Sequence, residues 1–217
     1  MIWRFSDRRD AGRQLAAKLE AYAGRGDVVV LALPRGGVPV GYEVAHALGV
    51  PLDVLIVRKL GVPQQPELAM GAIASGGAVF LNEGVLRAAG VGDAALHAVA
   101  ARERAELERR ETLYRGARPA LEVRGKTVIV VDDGMATGAS MQAAVMALRS
   151  RQPARVVVAV PVAPAGAAER MDEVADEFVR VLTEVEFYAV GQFYRDFEQV
   201  TDEEVRQWLD EARKEWA

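Results

Sequence analysis

Apolar and polar positions along this chain alternate between two periods. Val28 to Leu33 and Val128 to Val131 are continuous apolar runs of strand length, the pattern of strands covered on both faces. Between and around them, apolar positions recur every three or four residues. Ala11, Leu15, Leu19 and Tyr22 mark an opening helix that Ser6 or Asp7 can cap, and Val38 to Leu48 reads as the helix following the first strand. Leu52 to Val57 reads as a second strand. Residues 60 to 70 form a polar Pro/Gly loop, followed by Gly71–Ala74 and Ala78–Leu81 as a hairpin about Ser75-Gly76-Gly77. Asp93 to Tyr114 is the longest helical stretch, with Leu96, Val99, Ala100, Leu107 and Leu113 on one side. Its alternating charges, from Arg102 to Arg110, read as a solvated face.

A helix at Ala139–Leu148, a strand at Arg155–Val160, a short helix at Ala167–Val174 and a strand at Phe178–Leu182 continue the alternation. A final amphipathic helix from Thr201 to Trp216 has Glu204 at the capping-box position. Alternating strands and helices predict an α/β fold: a mostly parallel central sheet with helices on both faces and right-handed crossovers.

Composition narrows the class. The 217 residues include no Cys, which excludes disulfides and cysteine metal sites. No apolar run approaches the roughly 20 residues of a membrane helix, and Met1 to Ser6 has no signal-peptide core, so a soluble cytoplasmic protein is expected. A formal net charge of −4 argues against a protein that coats nucleic acid. It says nothing about small anions.

The chemistry concentrates in Val128-Ile129-Val130-Val131-Asp132-Asp133-Gly134-Met135-Ala136-Thr137-Gly138-Ala139-Ser140. An apolar strand delivers two carboxylates to its carboxyl end, and a loop of Gly and small hydroxyl residues then opens a helix. In an open parallel sheet, that edge is where ligands bind. Backbone N–H groups at the helix start, with the Thr137 and Ser140 hydroxyls, suit a phosphate, and Gly138 permits close approach. Two acids beside a phosphate would repel it unless they face hydroxyls or a metal. A phosphorylated ribose satisfies both halves. Leu33-Pro34-Arg35-Gly36-Gly37 ends the first strand with bare backbone and a guanidinium, suited to phosphate oxygens, and Arg58-Lys59 ends the second with more cation.

The stretch from 128 to 140 resembles the 5-phosphoribosyl-1-diphosphate (PRPP) motif of the type I phosphoribosyltransferases, and residues 33–37 resemble that family's diphosphate loop. The segments 58–61, 66–73 and 190–194 also look like stand-alone bacterial proteins of the family. The resemblance implies one domain over 1–217, with a core of about 24–165 and a hood of about 166–217 that includes the N-terminal helix. It implies transfer from PRPP to a nitrogenous acceptor, with Arg35, Lys59, Asp132 and Asp133 as catalytic residues. Pro34, Gly36, Gly37, Gly134, Met135, Ala136, Thr137, Gly138, Ala139 and Ser140 would cradle the phosphates. Mg2+ is expected beside Asp132 and Asp133, through ribose hydroxyls or water. Residues 60 to 80 could include a mobile lid.

Acceptor contacts are expected from Glu67, Tyr188, Phe193 and Tyr194. Five aromatic residues between 187 and 197 suit either a stacking face for a flat ring or a packing cluster. Family members acting on 6-oxopurines carry an acid where this chain has Ala136, which disfavours those bases, although Glu67 could serve as general base. His46 and His97 fall in helical stretches and are assigned nothing. The alternative is a non-catalytic PRPP- or nucleotide-sensing regulator of the same fold. No Gly-x-Gly-x-x-Gly follows the first strand, which excludes a dinucleotide-binding oxidoreductase. A homo-oligomer stays open; no nucleic-acid or membrane partner is expected.

Overall fold

The computed structural model describes residues 5–215, the Glu67 side chain excepted. The opening residues Met1 to Arg4, and Trp216 at the expected end of the last helix, lie outside the described residues. The first helix, α1 (Arg8–Lys18), starts at Asp7, whose carboxylate accepts the Asp10 N–H at 2.8 Å. Then follow β1 (Val28–Ala32), α2 (Gly37–Leu48) and β2 (Leu52–Val54). The middle of the chain holds β3 (Val57–Val62), β4 (Gln65–Ala74), β5 (Ala78–Leu81), α3 (Glu83–Ala88) and α4 (Asp93–Arg115). The remainder is β6 (Thr127–Val131), α5 (Ala139–Arg149), β7 (Arg155–Pro164), α6 (Ala167–Asp172), β8 (Glu177–Glu184) and α7 (Asp202–Lys214).

Five strands form the parallel central sheet, in the order β2-β1-β6-β7-β8. Strand periodicity divides its side chains between two cores. Val28, Val30 and Ala32 of β1 pack with Ile129 and Val131 against α1, α2 and α7 residues such as Leu15, Val44 and Leu209. Val29 and Leu31 pack with Val128 and Val130 against Met141, Ala144 and Leu148 of α5 on the other face. The predicted doubly covered parallel sheet is thus present. No helix among the described residues is long and apolar enough to cross a membrane.

Three local expectations are corrected. The run Leu52–Val57 is not one strand: β2 stops at Val54, Leu55 and Ile56 pass buried between sheets, and Val57 opens a separate antiparallel sheet of β3, β4 and β5. One apolar run served two sheets, which periodicity alone does not reveal. Residues 60 to 70 are not a loop. Most of the segment is a β-ribbon turning at Pro63 and Gln64, with register shifts at Gly61, where an added Cβ would lie 2.4 Å from the Pro66 carbonyl oxygen. The β4–β5 hairpin stands as expected. The charged side of α4 is also not wholly solvated: Glu103 is buried and accepts hydrogen bonds from Arg58 at 2.9 and 2.6 Å.

At its far end α4 is clipped to β2 by a buried ion pair. Arg115 Nε lies 2.9 Å from both carboxylate oxygens of Asp53, and its Nη1 reaches Glu111 at 2.7 Å.

Candidate active site

The chain leaves β1 toward β2 on one side and returns to β6 on the other. The β1–α2 and β6–α5 turns therefore diverge from neighbouring strand ends, the switch point at which open α/β sheets leave a crevice. Leu33 continues the ladder by donating its N–H to the Val131 carbonyl at 2.8 Å, and the Pro34–Arg35 peptide that follows is cis.

Here the two predicted motifs meet. A Cβ on Gly36 would lie 2.0 Å from Asp133 Oδ2, and one on Gly37 would lie 2.9 Å from both Asp132 Cα and the Val131 oxygen. The turn passes directly over the paired acids: a side chain at Gly37 would meet backbone, and one at Gly36 would displace the Asp133 carboxylate. The Asp133 N–H donates to Asp132 Oδ1 at 2.8 Å. Asp133 Oδ2 accepts from Arg8 Nε at 2.8 Å, with only 12% and 14% of the two side chains exposed. Arg8 is itself held: it donates to the Glu198 carbonyl at 2.7 Å, and its guanidinium sits 3.9 Å over the Phe197 ring. The Tyr194 hydroxyl donates to the Asp133 carbonyl.

Burial pushes Asp132 well above the usual carboxylate range, and the adjacent Asp133 charge adds to this. Burial raises Asp133 too, against the pull of Arg8. Two crowded, partly buried carboxylates with one guanidinium between them have room for a cation or for hydroxyl donors. No cluster of three or more acidic, His or Cys side chains suited to a metal occurs among the described residues. The donor set fits Mg2+, which takes one or two carboxylates and completes its shell with water and substrate oxygens.

Beyond the acids, the loop divides into an anchored part and an open part. Gly134 packs against Val190 and Val162, with 2.5 Å left for a Cβ beside Val190, and the buried Met135 donates its N–H to Val162 at 2.9 Å. Gly138 takes φ +79° to start α5, a conformation natural to glycine. Ala136, Thr137, Ala139 and Ser140 are exposed, so the loop and the first turn of α5 face solvent, with the Ala139 N–H donating to Thr137 Oγ1 at 3.4 Å. This is the chemistry of an anion cradle.

The predicted cations come from elsewhere than a second strand end. Lys59 lies within β3 of the antiparallel sheet; it and Arg58 share a cavity of about 480 Å3 with Ser140 of the phosphate loop. Arg35 lines a neighbouring cavity of about 310 Å3 with Arg109, Arg110, Tyr114 and Asp202. Phe193 and Tyr194 are buried in a cluster with Phe5, the Phe5 and Tyr194 ring centroids 5.3 Å apart. Their rings are committed to packing. Tyr188 is exposed. Glu67 lies on β4, its side chain outside the described residues. His46 pairs with Glu215, and His97 Nδ1 contacts the Asp93 carbonyl of its own helix. Arg8 escaped the sequence reading: nothing distinguishes it from Arg9 and Arg13 beside it, and its partner lies 125 residues away.

Known proteins resemble this chain in sequence and in fold. The family model described as the phosphoribosyl transferase domain matches residues 6–198. Proteins from two strains of Mycobacterium tuberculosis, provisionally named phosphoribosyl transferases, are 48% identical over 213 residues, covering 98% of this chain and 48% of theirs. The chain thus spans about half the length of the curated relatives it matches. The crystal structure of a Thermus thermophilus protein superposes with a TM-score of 0.86 at 48% identity, covering 96% of this chain and 98% of that one.

Proposed function

The chain belongs to the phosphoribosyl transferase domain family, and from that premise we propose that it transfers the 5-phosphoribosyl group of PRPP to a ring nitrogen of a nucleobase, releasing diphosphate. The observation that carries this reading is the seating of Asp132 and Asp133 directly against Gly36 and Gly37 at the switch point. A ribose held by the acids would present its C1 substituent to the glycine turn and its 5-phosphate to the loop that follows.

In this mechanism the C1–O bond to diphosphate breaks and its electron pair leaves with the diphosphate. The acceptor nitrogen supplies the pair for the new C1–N bond, and the proton it sheds passes to a base. The transition state resembles an oxocarbenium ion, so the protein's contribution is chiefly electrostatic. Asp132 and Asp133 accept from the ribose hydroxyls and place negative charge near the sugar. Exposed N–H groups at the start of α5, with Thr137 and Ser140, hold the 5-phosphate. Arg35, the Gly36–Gly37 backbone and Lys59 balance the charge of the departing diphosphate. Asp132 and Asp133 would hold Mg2+, which when bound would further neutralise that charge. This chemistry belongs to cytoplasmic nucleotide metabolism.

The test is diphosphate release from PRPP with Mg2+ and a panel of purines, pyrimidines and simple amines. Acceptor-dependent release supports the assignment. PRPP binding without release would instead identify a sensing protein, and absence of binding would overturn the site itself.

A further inference from the structure

The charged face of α4 does something that charge alternation does not predict. Two of its arginines, Arg109 and Arg110, line the 310 Å3 cavity together with Arg35 of the β1–α2 turn. The acidic groups nearby are already shared. Glu106 alone serves both helix arginines, accepting from Arg109 at 2.8 and 3.0 Å and from Arg110 at 2.7 Å. Arg110 donates only through Nε, so its two terminal nitrogens have no acceptor among the described residues. Asp202, on the cavity wall, accepts from the Tyr114 hydroxyl at 2.6 Å and stands 3.9 Å from Arg35 Nη1, beyond hydrogen-bond reach. Burial and this bond push Tyr114 up to about 12, so it stays a neutral donor to Asp202.

Three guanidinium groups thus line one small cavity whose wall bears, among the described residues, a single carboxylate. The excess is positive and its donors are forked, which selects a multiply charged anion with several oxygens. We infer that α4 completes the diphosphate subsite: Arg109 and Arg110 bind the diphosphate group of PRPP together with Arg35. The inference rests on the PRPP reading above and adds to it two residues from a helix otherwise outside the phosphate motifs. Arg109 and Arg110 are substrate-binding groups in this assignment, and Tyr114 and Asp202 are positioning residues that hold the wall beside Arg35.

Calorimetric titration of the full chain, at fixed ionic strength with Mg2+, tests this with two probes, inorganic diphosphate and ribose 5-phosphate. The double variant Arg109→Gln/Arg110→Gln should bind diphosphate about 10- to 100-fold more weakly while holding ribose 5-phosphate as before. Arg104→Gln, an exposed change on the same helix, should leave both affinities unchanged. Thermal unfolding confirms that each variant is folded. Diphosphate affinity within twofold of wild type in the double variant, or an equal loss in Arg104→Gln, overturns the inference. Wild-type protein that binds ribose 5-phosphate but not diphosphate overturns it while leaving the sugar-phosphate site intact. Binding of neither probe overturns the functional reading as well.

Discussion

Gly36→Ala isolates the contact between the two turns. Gly36 has φ −60° and ψ −32°, which alanine adopts freely, so any effect comes from the added methyl group and not from backbone strain. That methyl would sit 2.0 Å from Asp133 Oδ2 and 2.7 Å from its Cγ, against an ordinary contact of 3.4 Å. The carboxylate must therefore retreat by about 1.4 Å, and its 2.8 Å bond to Arg8 must lengthen or break. Overpacking of this kind costs about 1–3 kcal/mol of stability. Displacing a substrate-holding group by about 1 Å can cost on the order of 100-fold in rate. Gly36→Ala is thus expected to stay folded while kcat/KM for PRPP falls about 100-fold and ribose 5-phosphate binds weakly. Gly37→Ala differs, because its methyl meets the backbone of Val131 and Asp132, which cannot swing aside; it should lose stability together with activity. The assays are diphosphate release, calorimetry and urea unfolding. Gly36→Ala with PRPP turnover within threefold of wild type would refute the claim that Asp133 must sit where it does.

Other consequences follow from named contacts. Arg8→Gln leaves Asp133 without its cation and should cost on the order of 2–3 kcal/mol in urea unfolding, somewhat under the value for fully buried pairs; an unchanged midpoint would show the pair to be idle. Because burial raises Asp132 in the folded state, the fold binds more protons than the unfolded chain from about pH 4 up to that raised value, and stability falls as pH rises through this window. Ligand-free Asp132→Asn should therefore melt above wild type at pH 8, the gap closing toward pH 4; a constant gap contradicts the assignment. Arg115→Met strands the buried Asp53 and should cost about 3–5 kcal/mol, most of it recovered in Asp53→Leu/Arg115→Met. Hypoxanthine and guanine should show kcat/KM about 100-fold or more below the best acceptor, since position 136 offers no proton acceptor; efficient turnover of either would reverse that reading of Ala136.

The parallel core was legible because both faces of β1 and β6 are buried, and burial on two sides leaves an unbroken apolar run in the sequence. The phosphate loop was legible because its demands are local: paired acids, small residues, a glycine with positive φ and a helix start. The β-ribbon was not. Gly61, Pro63 and Pro66 punctuate it as they would a loop, and their tolerance depends on the bulged register, which is a property of strand pairing. Arg8, Arg109 and Arg110 were equally hidden, since each is one arginine among several on a helix and its meaning comes from residues far away in the sequence. The late aromatic residues had two open readings; burial of Phe193 and Tyr194 assigns those two to packing.

The contact between Arg8 and Asp133 spans 125 positions, and the bridge from Phe5 to Tyr194 fastens the two regions of chain that flank the acids. Closing so long a loop is entropically costly and comes late relative to local helix formation. During synthesis the phosphate loop emerges with its complete motif well before residues 194 to 198 are available to seat Arg8. A nascent chain can therefore carry every signature residue and still lack a working pocket. The proposed site is expected to be complete only once the early and late segments have been joined.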